Sequence, residues 1–420
     1  MAKLTVKDLD VKSKRVLVRV DFNVPIDDNN EITDDNRIVA SLPTIKYLID
    51  QGAKVILCSH LGRPKGKFEE KYSLSPVATR LAGLLPETRV EFARDVIGPD
   101  AQEKASSLKD GEVLLLENVR FHKEETDNDE GFAKRLASLA DVFVSDAFGS
   151  VHRAHASTAG VAKFLPAAAG FLIEKELKFL YGALEDPQRP FVAIMGGAKV
   201  ADKIGVIRNL LKKCDTILLG GGMAYTFFKA MGYEIGNSLL DNDSIGLAAD
   251  LMKEAEKHGV KMLLPVDTVV AKEYSADAEH KTVPSDAIPK GWEGLDIGVK
   301  TQEAYAREIL SAKTIVWNGP MGVFEFPAFE NGTAAVALAC AACKGVTIIG
   351  GGDSAAAVKK LGLAEKITHI STGGGASLDF WRAGSFLELQ FLTICKEQRD
   401  EKKTHYRRQL ENEYDSERGC

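Results

Sequence analysis

Short, continuously apolar runs of Val, Ile and Leu recur along the chain, separated by longer segments in which apolar and polar positions mix at helical spacing. Strands that are apolar at every position are typical of parallel sheets covered on both faces. The pattern therefore predicts an α/β protein, and ten strands suit two doubly wound, Rossmann-like domains better than one. The ten runs begin at Arg15, Lys54, Glu112, Asp141, Phe191, Thr216, Lys261, Thr314, Val346 and Ile367.

A boundary between the two domains is predicted near the middle of the chain. Leu172, Leu177, Leu180 and Leu184 recur at near-helical spacing, and the segment 185–190, EDPQRP, then breaks the helix. We interpret residues of about 174–184 as a helix that joins a domain of residues 1–172 to a domain of residues 173–380. An ordinary surface helix within one domain is the alternative, and spacing does not separate the two.

Composition narrows the class of protein. The 420 residues are 45% hydrophobic and 27% charged, which is normal for a globular protein with a sizeable core. A net charge of -6 argues against nucleic-acid binding, so a basic site must be a local cluster. The six cysteines form no disulfide framework, and we see neither a signal peptide nor an apolar run of the ~20 residues that span a bilayer. We expect a cytoplasmic protein without membrane partners.

Basic residues follow the strand-like runs of the first half. Ligands of open α/β sheets bind beyond the carboxyl ends of the strands, and arginine suits bidentate binding of phosphate or carboxylate. One loop arginine is usually a solvated charge, and an Asp–Asn pair after a strand is usually a turn. Together they predict an anion pocket in the first half. The residues concerned are Asp21, Asn23, Arg37, His60, Arg63, Arg120, His152 and Arg153.

Glycine loops follow the strand-like runs of the second half. "GGAKVADKIG" (Gly196 to Gly205) opens a predicted helix, and Lys199 and Lys203, four residues apart, would share one face of it. "IIGGGDS" places Asp353 and Ser354 after a glycine turn, as in a phosphate cradle with a carboxylate for Mg²⁺. Neither a Walker P-loop nor the G-x-G-x-x-G of a dehydrogenase is found. We interpret this half as a nucleotide platform.

Eleven motifs, in order, resemble the phosphoglycerate kinase family over residues 1 to about 380. They are "RVDFNVP", "SHLGRP", "LLLENVRF", "SDAFG", "HRAHAS", "GGAKVADKI", "LPVD", "GLDIG", "WNGPMGVFE", "GGGDS" and "STGGGAS". The resemblance implies reversible, Mg²⁺-dependent phosphoryl transfer between ATP and the carboxylate of 3-phosphoglycerate in glycolysis, giving 1,3-bisphosphoglycerate and ADP. It also implies a cytoplasmic monomer that bends at a hinge.

The resemblance also implies roles for single residues. Arg37, Lys199, Gly374 and Gly375 would act on the transferring phosphoryl group. On the substrate side, the 3-phosphoglycerate ligands would be Asp21, Asn23, Arg37, His60, Arg63, Arg120 and Arg153. On the nucleotide side, the ligands would be Lys203, Gly294, Glu325, Gly351, Gly352, Asp353 and Ser354, with Asp353 at the Mg²⁺.

The chemistry is compatible with these residue types. Phosphoryl transfer requires positioning and charge neutralisation more than covalent help. A carboxylate with a pKa of ~4 is ionised at pH 7, so no general base is needed. Two half-sites on separate domains would have to close around the reactants and exclude water. A non-catalytic binding protein that closes on an anion is the alternative from another class, and it would need only one phosphate platform.

The family pattern ends near Phe380. Family chains continue roughly as Leu-Glu-Gly-Lys, whereas here "WRAGSFLELQ" begins at Trp381. One added C before the TGG codon of Trp381, with permitted codons after it, re-reads as Leu-Glu-Gly-Lys-Phe-Leu-Gly-Val-Ala-Val-Leu-Asp. We interpret residues 381–420 as a frameshift product, against the alternative of a genuine lineage-specific tail; the DNA across Phe380 and Trp381 decides. An altered terminus leaves a kinase-like protein with impaired turnover as the alternative function.

Overall fold

The computed structural model describes residues 4–383 of the chain. These residues form two compact units, the first up to Glu176 and the second from Leu177. The chain passes from one unit to the other within a helix, Phe171–Glu185. That helix covers the segment of about 174–184 for which a helix is predicted. The domain limits inferred from the sequence, 1–172 and 173–380, stay a prediction.

The first unit alternates strands and helices. Its strands are β1 Arg15–Arg19, β2 Lys54–Cys58, β3 Val90–Phe92, β4 Val113–Leu115, β5 Val142–Ser145 and β6 Ala167–Ala169. Its helices are α1 Asn36–Asp50, α2 Ser75–Leu84, α3 Pro99–Ser107, α4 Lys123–Thr126, α5 Glu130–Ala137 and the start of α6 Phe171–Glu185.

The sheet of the first unit is entirely parallel, in the order β3-β4-β2-β1-β5-β6. Leu17 of β1 pairs with Ile56 of β2 on one side and with Phe143 of β5 on the other. All three side chains are buried, as expected for strands that are apolar on both faces. From β1 the chain adds β2 on one side, and it later returns to add β5 on the other side, so the strand order reverses at β1. Ligands of such sheets bind where the order reverses, which makes the carboxyl ends of β1, β2 and β5 the expected binding edge.

The second unit repeats this design and adds a smaller sheet. Its strands are β7 Phe191–Met195, β8 Thr216–Leu219, β9 Glu234–Ile235, β10 Lys261–Leu263, β11 Asp267–Ala271, β12 His280–Pro284, β13 Ala287–Ile288, β14 Glu293–Ile297, β15 Thr314–Asn318, β16 Val346–Gly350 and β17 His369–Ile370. Its helices are α7 Ile204–Leu211, α8 Met223–Ala230, α9 Ile245–His258, α10 Val299–Ser311, α11 Asn331–Ala342, α12 Gly352–Lys360 and α13 Gly375–Ala383.

The main sheet of the second unit is also parallel, in the order β10-β8-β7-β15-β16-β17. Trp317 of β15 is fully buried between Ile194 of β7 and Ile349 of β16. A separate antiparallel sheet has the order β12-β11-β14, and β9 pairs with β13. The two parallel six-stranded sheets confirm the prediction of an α/β fold with two Rossmann-like domains.

Within the described residues all ten predicted strands are present, but the sequence pattern missed seven others. β6 is only Ala167–Ala169, and the alanines give no signal for a strand. β12 is exposed at most of its positions, so it carries no apolar run. These strands form because a neighbouring strand supplies hydrogen bonds, which is information from elsewhere in the chain.

The C-terminal hypothesis concerns residues that the structure describes only in part. Trp381 is fully buried in α13, and its backbone oxygen accepts a hydrogen bond from Asn209 Nδ2 at 2.6 Å. The rest of the predicted frameshift product, residues 384–420, lies outside the described residues. The origin of the segment stays a prediction.

Candidate active site

The carboxyl edge of the first sheet carries a basic cluster, by which we mean Arg19, Arg37, His60, Arg120, Arg153 and His155. Arg19 ends β1, and His60 follows β2 by two residues. Burial is the largest cause that holds the pKa of His60 well below 6.5, and the positive charges of all four arginines of the cluster lower it further. Burial, followed by the charges of neighbouring arginines, lowers the pKa of His155 to about 4. The cluster is therefore an environment that favours an anionic ligand.

Asp21 organises the outer part of this cluster. Its two carboxylate oxygens accept hydrogen bonds from Arg37 Nη1, both at 3.0 Å, and Oδ1 also accepts from the backbone N–H of Asn23 at 3.2 Å. The Asp21 side chain is buried, whereas that of Arg37 is 40% exposed. Arg37 therefore keeps free surface for a ligand while Asp21 fixes its position. Since β1 ends at Arg19, Asp21 and Asn23 lie in the loop that follows the strand.

The loop after β2 is held by side chains of the neighbouring elements. Asn23 Oδ1 accepts from the backbone N–H of Gly62 at 2.8 Å, and Arg120 Nη1 donates to the Gly62 carbonyl at 2.9 Å. Asn118 binds the same loop, donating to Leu61 O at 2.7 Å. Arg120 is thereby buried, and desolvation lowers its pKa to about 10. Arg63 is exposed on this loop.

Arg19 was missed by sequence reasoning although it is the most buried cation of the cluster. It has no exposed surface, and its Nη2 lies 3.1 Å from His60 Nδ1. A charged residue flanked by Val18 and Val20 in an apolar run of the sequence is the signal that could have identified it, because a buried charge requires a specific partner. His155, also missed, lies 3.7 Å (Nδ1) from Glu125 Oε1.

The second unit presents glycine loops at the carboxyl ends of β7, β8 and β15. A methyl group on Gly196 would lie 2.0 Å from the backbone oxygen of Pro320, and one on Gly221 would lie 2.6 Å from the nitrogen of Gly197. Gly319 has a φ of 92°, which favours glycine. The loops are therefore packed backbone against backbone. The glycines at 220–222 were not singled out as site residues in the sequence.

Lys203 reaches into this glycine-lined surface. Its Nζ hydrogen-bonds to the Asn318 side-chain oxygen and lies 3.4 Å from the Asn318 carbonyl oxygen. Burial lowers its pKa to about 8, although the negative charges of Asp353 and Asp202 oppose the shift. Asn318 Nδ2 donates in turn to Gly350 O at 2.8 Å, so this asparagine links the end of β15 to the end of β16. Sequence reasoning did not select Asn318.

Lys199 and Lys203 do not share a helical face, and that prediction is wrong. α7 begins only at Ile204, after a short 3₁₀ turn at Ala201–Lys203, and Gly197 has a φ of 105°. The glycine turn delays the helix, so Lys199 is exposed in the turn while Lys203 is partly buried beside Asn318.

The remaining glycine loops do open helices as predicted. Gly351, with a φ of 93°, precedes α12 at Gly352, and the exposed Asp353 is in the first turn. Ser354 is buried, and its Oγ accepts from the Gly319 N–H at 2.6 Å. Gly374 and Gly375 stand at the start of α13, and Gly374 has a φ of 50°.

Gly294 and Glu325 occupy separate positions in the second unit. Gly294 is buried in β14, where a methyl group would lie 2.1 Å from the Tyr225 hydroxyl and where its N–H donates to Ser238 Oγ at 2.9 Å. Glu325 is exposed in the turn between β15 and α11.

Within residues 4–383, no cluster of three or more His, Cys, Asp or Glu side chains could hold a metal ion. Asp353 is a single exposed carboxylate near the Lys203 ammonium. This donor set fits Mg²⁺, which commonly takes one or two protein carboxylates and completes its shell with water and substrate phosphates.

A comparison with protein families matches the model of "Phosphoglycerate kinase" to residues 6–383. The chain belongs to the phosphoglycerate kinase family. A phosphoglycerate kinase of Moorella thermoacetica is 62% identical over 380 residues, covering 90% of this chain and 96% of the relative. That of Clostridium novyi is 60% identical over 381 residues, covering 90% of this chain and 95% of the relative.

Solved phosphoglycerate kinase structures have the same fold. The structure of the Coxiella burnetii protein superposes with a TM-score of 0.86 at 43% identity, covering 94% of this chain and 99% of that one. The Pyrococcus horikoshii structure gives a TM-score of 0.80 at 36% identity, with the same coverage of 94% and 99%. The family resemblance found in the motifs is thus confirmed. Within the described residues, no helix has the length and apolarity needed to cross a membrane.

Proposed function

We propose that this chain catalyses reversible phosphoryl transfer between ATP and the carboxylate of 3-phosphoglycerate. The observation that carries the proposal is the basic cluster at the carboxyl edge of the first sheet, in a chain of the phosphoglycerate kinase family. 3-Phosphoglycerate bears a phosphate and a carboxylate, so it needs several cations and no proton acceptor. The cluster supplies the cations, and the low pKa of His60 keeps that ring neutral.

On the substrate side, His60, Arg63, Arg120 and Arg153 bind the 3-phosphate in this proposal. Asp21 and Asn23 bind the hydroxyl and carboxyl end, and Arg37 neutralises the carboxylate and the incoming phosphoryl group. The contact of Arg37 Nη1 with both carboxylate oxygens of Asp21 supports this role, because it orients a partly exposed guanidinium before the substrate arrives. Preorganised donors lose little free energy to reordering during the reaction.

On the nucleotide side, Lys203 binds the ATP phosphates, and Lys199 follows the group being transferred. Gly351, Gly352 and Ser354 line the phosphates, Gly374 and Gly375 offer amides to the transferring group, Gly294 lies against the adenine and Glu325 binds the ribose. Asp353 would hold the Mg²⁺ that shields the phosphate charges when ATP is bound. A methyl group added at Gly352, Gly374 or Gly375 would lie in open space, which supports room for phosphate beside the backbone of these residues.

The reaction then follows from charge and position. The ionised carboxylate of 3-phosphoglycerate attacks the terminal phosphorus of ATP, the bond to the ADP oxygen breaks, and an acyl phosphate forms. Arg37 and Lys199 supply positive charge to the oxygens of the group in transit. No residue of the chain gains or loses a proton in this step. We further propose that the protein acts in the cytoplasm as a monomer, without nucleic-acid or membrane partners.

The test is ADP formation by the purified full-length chain with ATP, Mg²⁺ and 3-phosphoglycerate, coupled to reduction of the acyl phosphate by a dehydrogenase. We expect turnover that requires 3-phosphoglycerate and that is absent with glycerate, which lacks the 3-phosphate. K203M should lower kcat/KM for ATP by roughly 100-fold or more. Lys212 is exposed at the end of α7, so K212M is the matched control and should keep wild-type kinetics. A folded chain that binds neither ligand and does not turn over would refute the proposal.

A further inference from the structure

A carboxylate without exposed surface lies beneath the basic cluster. Glu125, in α4, is 0% exposed, and both of its oxygens bind one residue. Ser157 donates to it twice, from its backbone N–H to Oε2 at 2.9 Å and from its hydroxyl to Oε1 at 2.6 Å. The proposed mechanism gives Glu125 no role. A fully buried carboxylate is costly unless it is hydrogen-bonded, so the groups that it binds are the ones that it can position.

The backbone around Ser157 is wound unusually to make these contacts. Residues Ala156–Gly160 form a single π-helical turn, and all of them are buried. The carbonyl of His155 accepts from the N–H groups of both Ala159 and Gly160, at 3.0 and 3.1 Å. Such turns are rare and are frequent at functional sites. Here the turn directs the N–H and the hydroxyl of Ser157 to the same carboxylate.

The Ser157 hydroxyl, oriented by Glu125, in turn fixes the position of Arg19. Its proton is directed to Glu125, so its lone pairs accept from Arg19 Nε at 2.8 Å. Arg19 is itself fully buried, and its Nη1 donates to the backbone oxygen of Val20. Nη2 remains, and it lies 3.1 Å from His60 Nδ1. Each of the three guanidinium nitrogens of Arg19 thus has a fixed neighbour: the Ser157 hydroxyl, the Val20 carbonyl and Nδ1 of His60.

This contact determines which nitrogen of His60 carries a proton. A guanidinium has donors only, so Nδ1 of His60 must accept and must be unprotonated. The proton of the neutral ring is therefore on Nε2. Protonation of Nδ1 is opposed by burial and by the charges of Arg19, Arg120, Arg37 and Arg153, which keep the pKa low.

We propose that Glu125 is a positioning residue which, through Ser157 and Arg19, holds His60 as a neutral ring with its proton on Nε2. His60 then offers a fixed hydrogen-bond donor to an anionic ligand of the basic cluster and cannot turn its lone pair toward it. The consequence for catalysis rests on the proposed function, in which that ligand is the 3-phosphate of 3-phosphoglycerate. The statement about the His60 proton does not depend on it.

The relay requires a carboxylate and not an amide at position 125. In Glu125→Gln, an NH₂ group, which donates hydrogen bonds, replaces one of the two accepting carboxylate oxygens. If that NH₂ faces the Ser157 hydroxyl, the hydroxyl accepts from it and turns its own proton toward the Arg19 donor. If it faces the Ser157 backbone N–H, two donors oppose each other. Either arrangement weakens the hold on Arg19 and hence on the His60 tautomer.

The second unit contains a matched control. Asp267 is also buried, and its Oδ1 accepts from the backbone N–H of Thr301 at 2.9 Å and from the Thr301 hydroxyl at 2.6 Å. Asp267→Asn therefore removes a buried carboxylate with nearly the same contacts. It has no connection to Arg19, so it reports the general cost of such a change.

The experiment has two readouts on the full-length chain. ¹⁵N chemical shifts of labelled imidazoles distinguish the two tautomers, and His60→Gln identifies the His60 signals among the eight histidines. We expect the wild type to show only the Nε2–H form between pH 6 and 8. Glu125→Gln and Ser157→Ala should give a mixture of tautomers and a 3-phosphoglycerate KM raised by roughly 10-fold, with kcat changed much less. Asp267→Asn should move neither readout.

Several outcomes would overturn the inference. A wild-type His60 with its proton on Nδ1 would do so directly, as would a Glu125→Gln protein that keeps the pure Nε2–H signal and a wild-type KM. An equal effect of Asp267→Asn would show general destabilisation in place of a relay. If Glu125→Gln does not fold, Ser157→Ala decides by the same readouts. A folded wild type that shows the Nε2–H form but neither binds the two substrates nor turns over would refute the proposed function and leave the statement about the His60 proton standing.

Discussion

Replacement of Gly196 by alanine tests whether backbone contact between glycine loops forms the nucleotide half-site. The added methyl group would lie 2.0 Å from the Pro320 oxygen and 2.6 Å from the Gly319 oxygen. Both obstacles are backbone atoms, so no side chain can rotate away. One of the loops must then move by about 1.5 Å to reach the ~3.5 Å of an ordinary contact.

This displacement sets the expected magnitudes. Overpacking in a filled interior costs about 1–3 kcal/mol of unfolding free energy. The loop that moves also carries the neighbours of Lys203, whose Nζ hydrogen-bonds to Asn318. A misplacement of ~1 Å lowers the rate of an enzyme by about 100-fold. We therefore expect a fall of about 100-fold in kcat/KM for ATP, with an unchanged KM for 3-phosphoglycerate.

The assay combines urea unfolding, calorimetric ATP binding and steady-state kinetics. Gly246→Ala is the matched control, since Gly246 lies in helix α9 of the same unit, and a new methyl group would meet nothing within 4 Å apart from its chain neighbours and the backbone of its own helix. That change should leave activity intact and add up to ~1 kcal/mol of stability, because alanine favours a helix. If Gly196→Ala matches the wild type in both stability and ATP kinetics, the backbone-contact argument is refuted.

Three further predictions concern charge. Burial lowers the pKa of Lys203 to about 8, so this lysine loses its charge as pH rises from 7.5 to 9.5, and ATP affinity measured by calorimetry should weaken over that range. K203R should flatten this pH dependence, and equal pH dependence of ATP affinity in the variant and the wild type would contradict the prediction. R37M should lower kcat by roughly 100-fold or more while the circular dichroism spectrum stays unchanged; near-normal kcat would remove Arg37 from the proposed chemistry. Burial raises the pKa of Asp146 to about 7, so its folded state binds more protons than the unfolded chain between about pH 4 and 7, and stability falls as pH rises through that window. D146N should lessen this fall in urea unfolding at pH 5 and 7, and an unchanged difference would count against it.

Much of the fold was predictable because the signals are local. A run such as that of β1 or β15 is apolar at nearly every position, which is the pattern of a strand buried on both faces. The candidate site residues follow the same logic, since they come directly after such strands. Their order along the chain is enough to place His60 and Asp353 at the carboxyl edges of the two sheets. The roles of these residues stay predictions.

The errors occur where the local sequence does not determine the backbone conformation. Lys199 and Lys203 were expected on one helix face, but Gly197 adopts a positive φ and the helix begins later. A glycine permits several backbone conformations, so its neighbours cannot be assigned to a helix from spacing alone. The short strand β6 was missed for a related reason, because its alanines form a strand only beside β5.

The sequence by itself determined the class of fold, the order of the strands along the chain and the set of motifs that identify the family. These depend on which residues are adjacent, and adjacency is written in the chain. Only the tertiary structure decided that Arg19 lies between Ser157 and His60, or that Lys203 is desolvated beside Asn318. Hydrogen bonds and desolvation depend on distances between residues far apart in the chain, and those distances are set by the packing of the strands and loops around them.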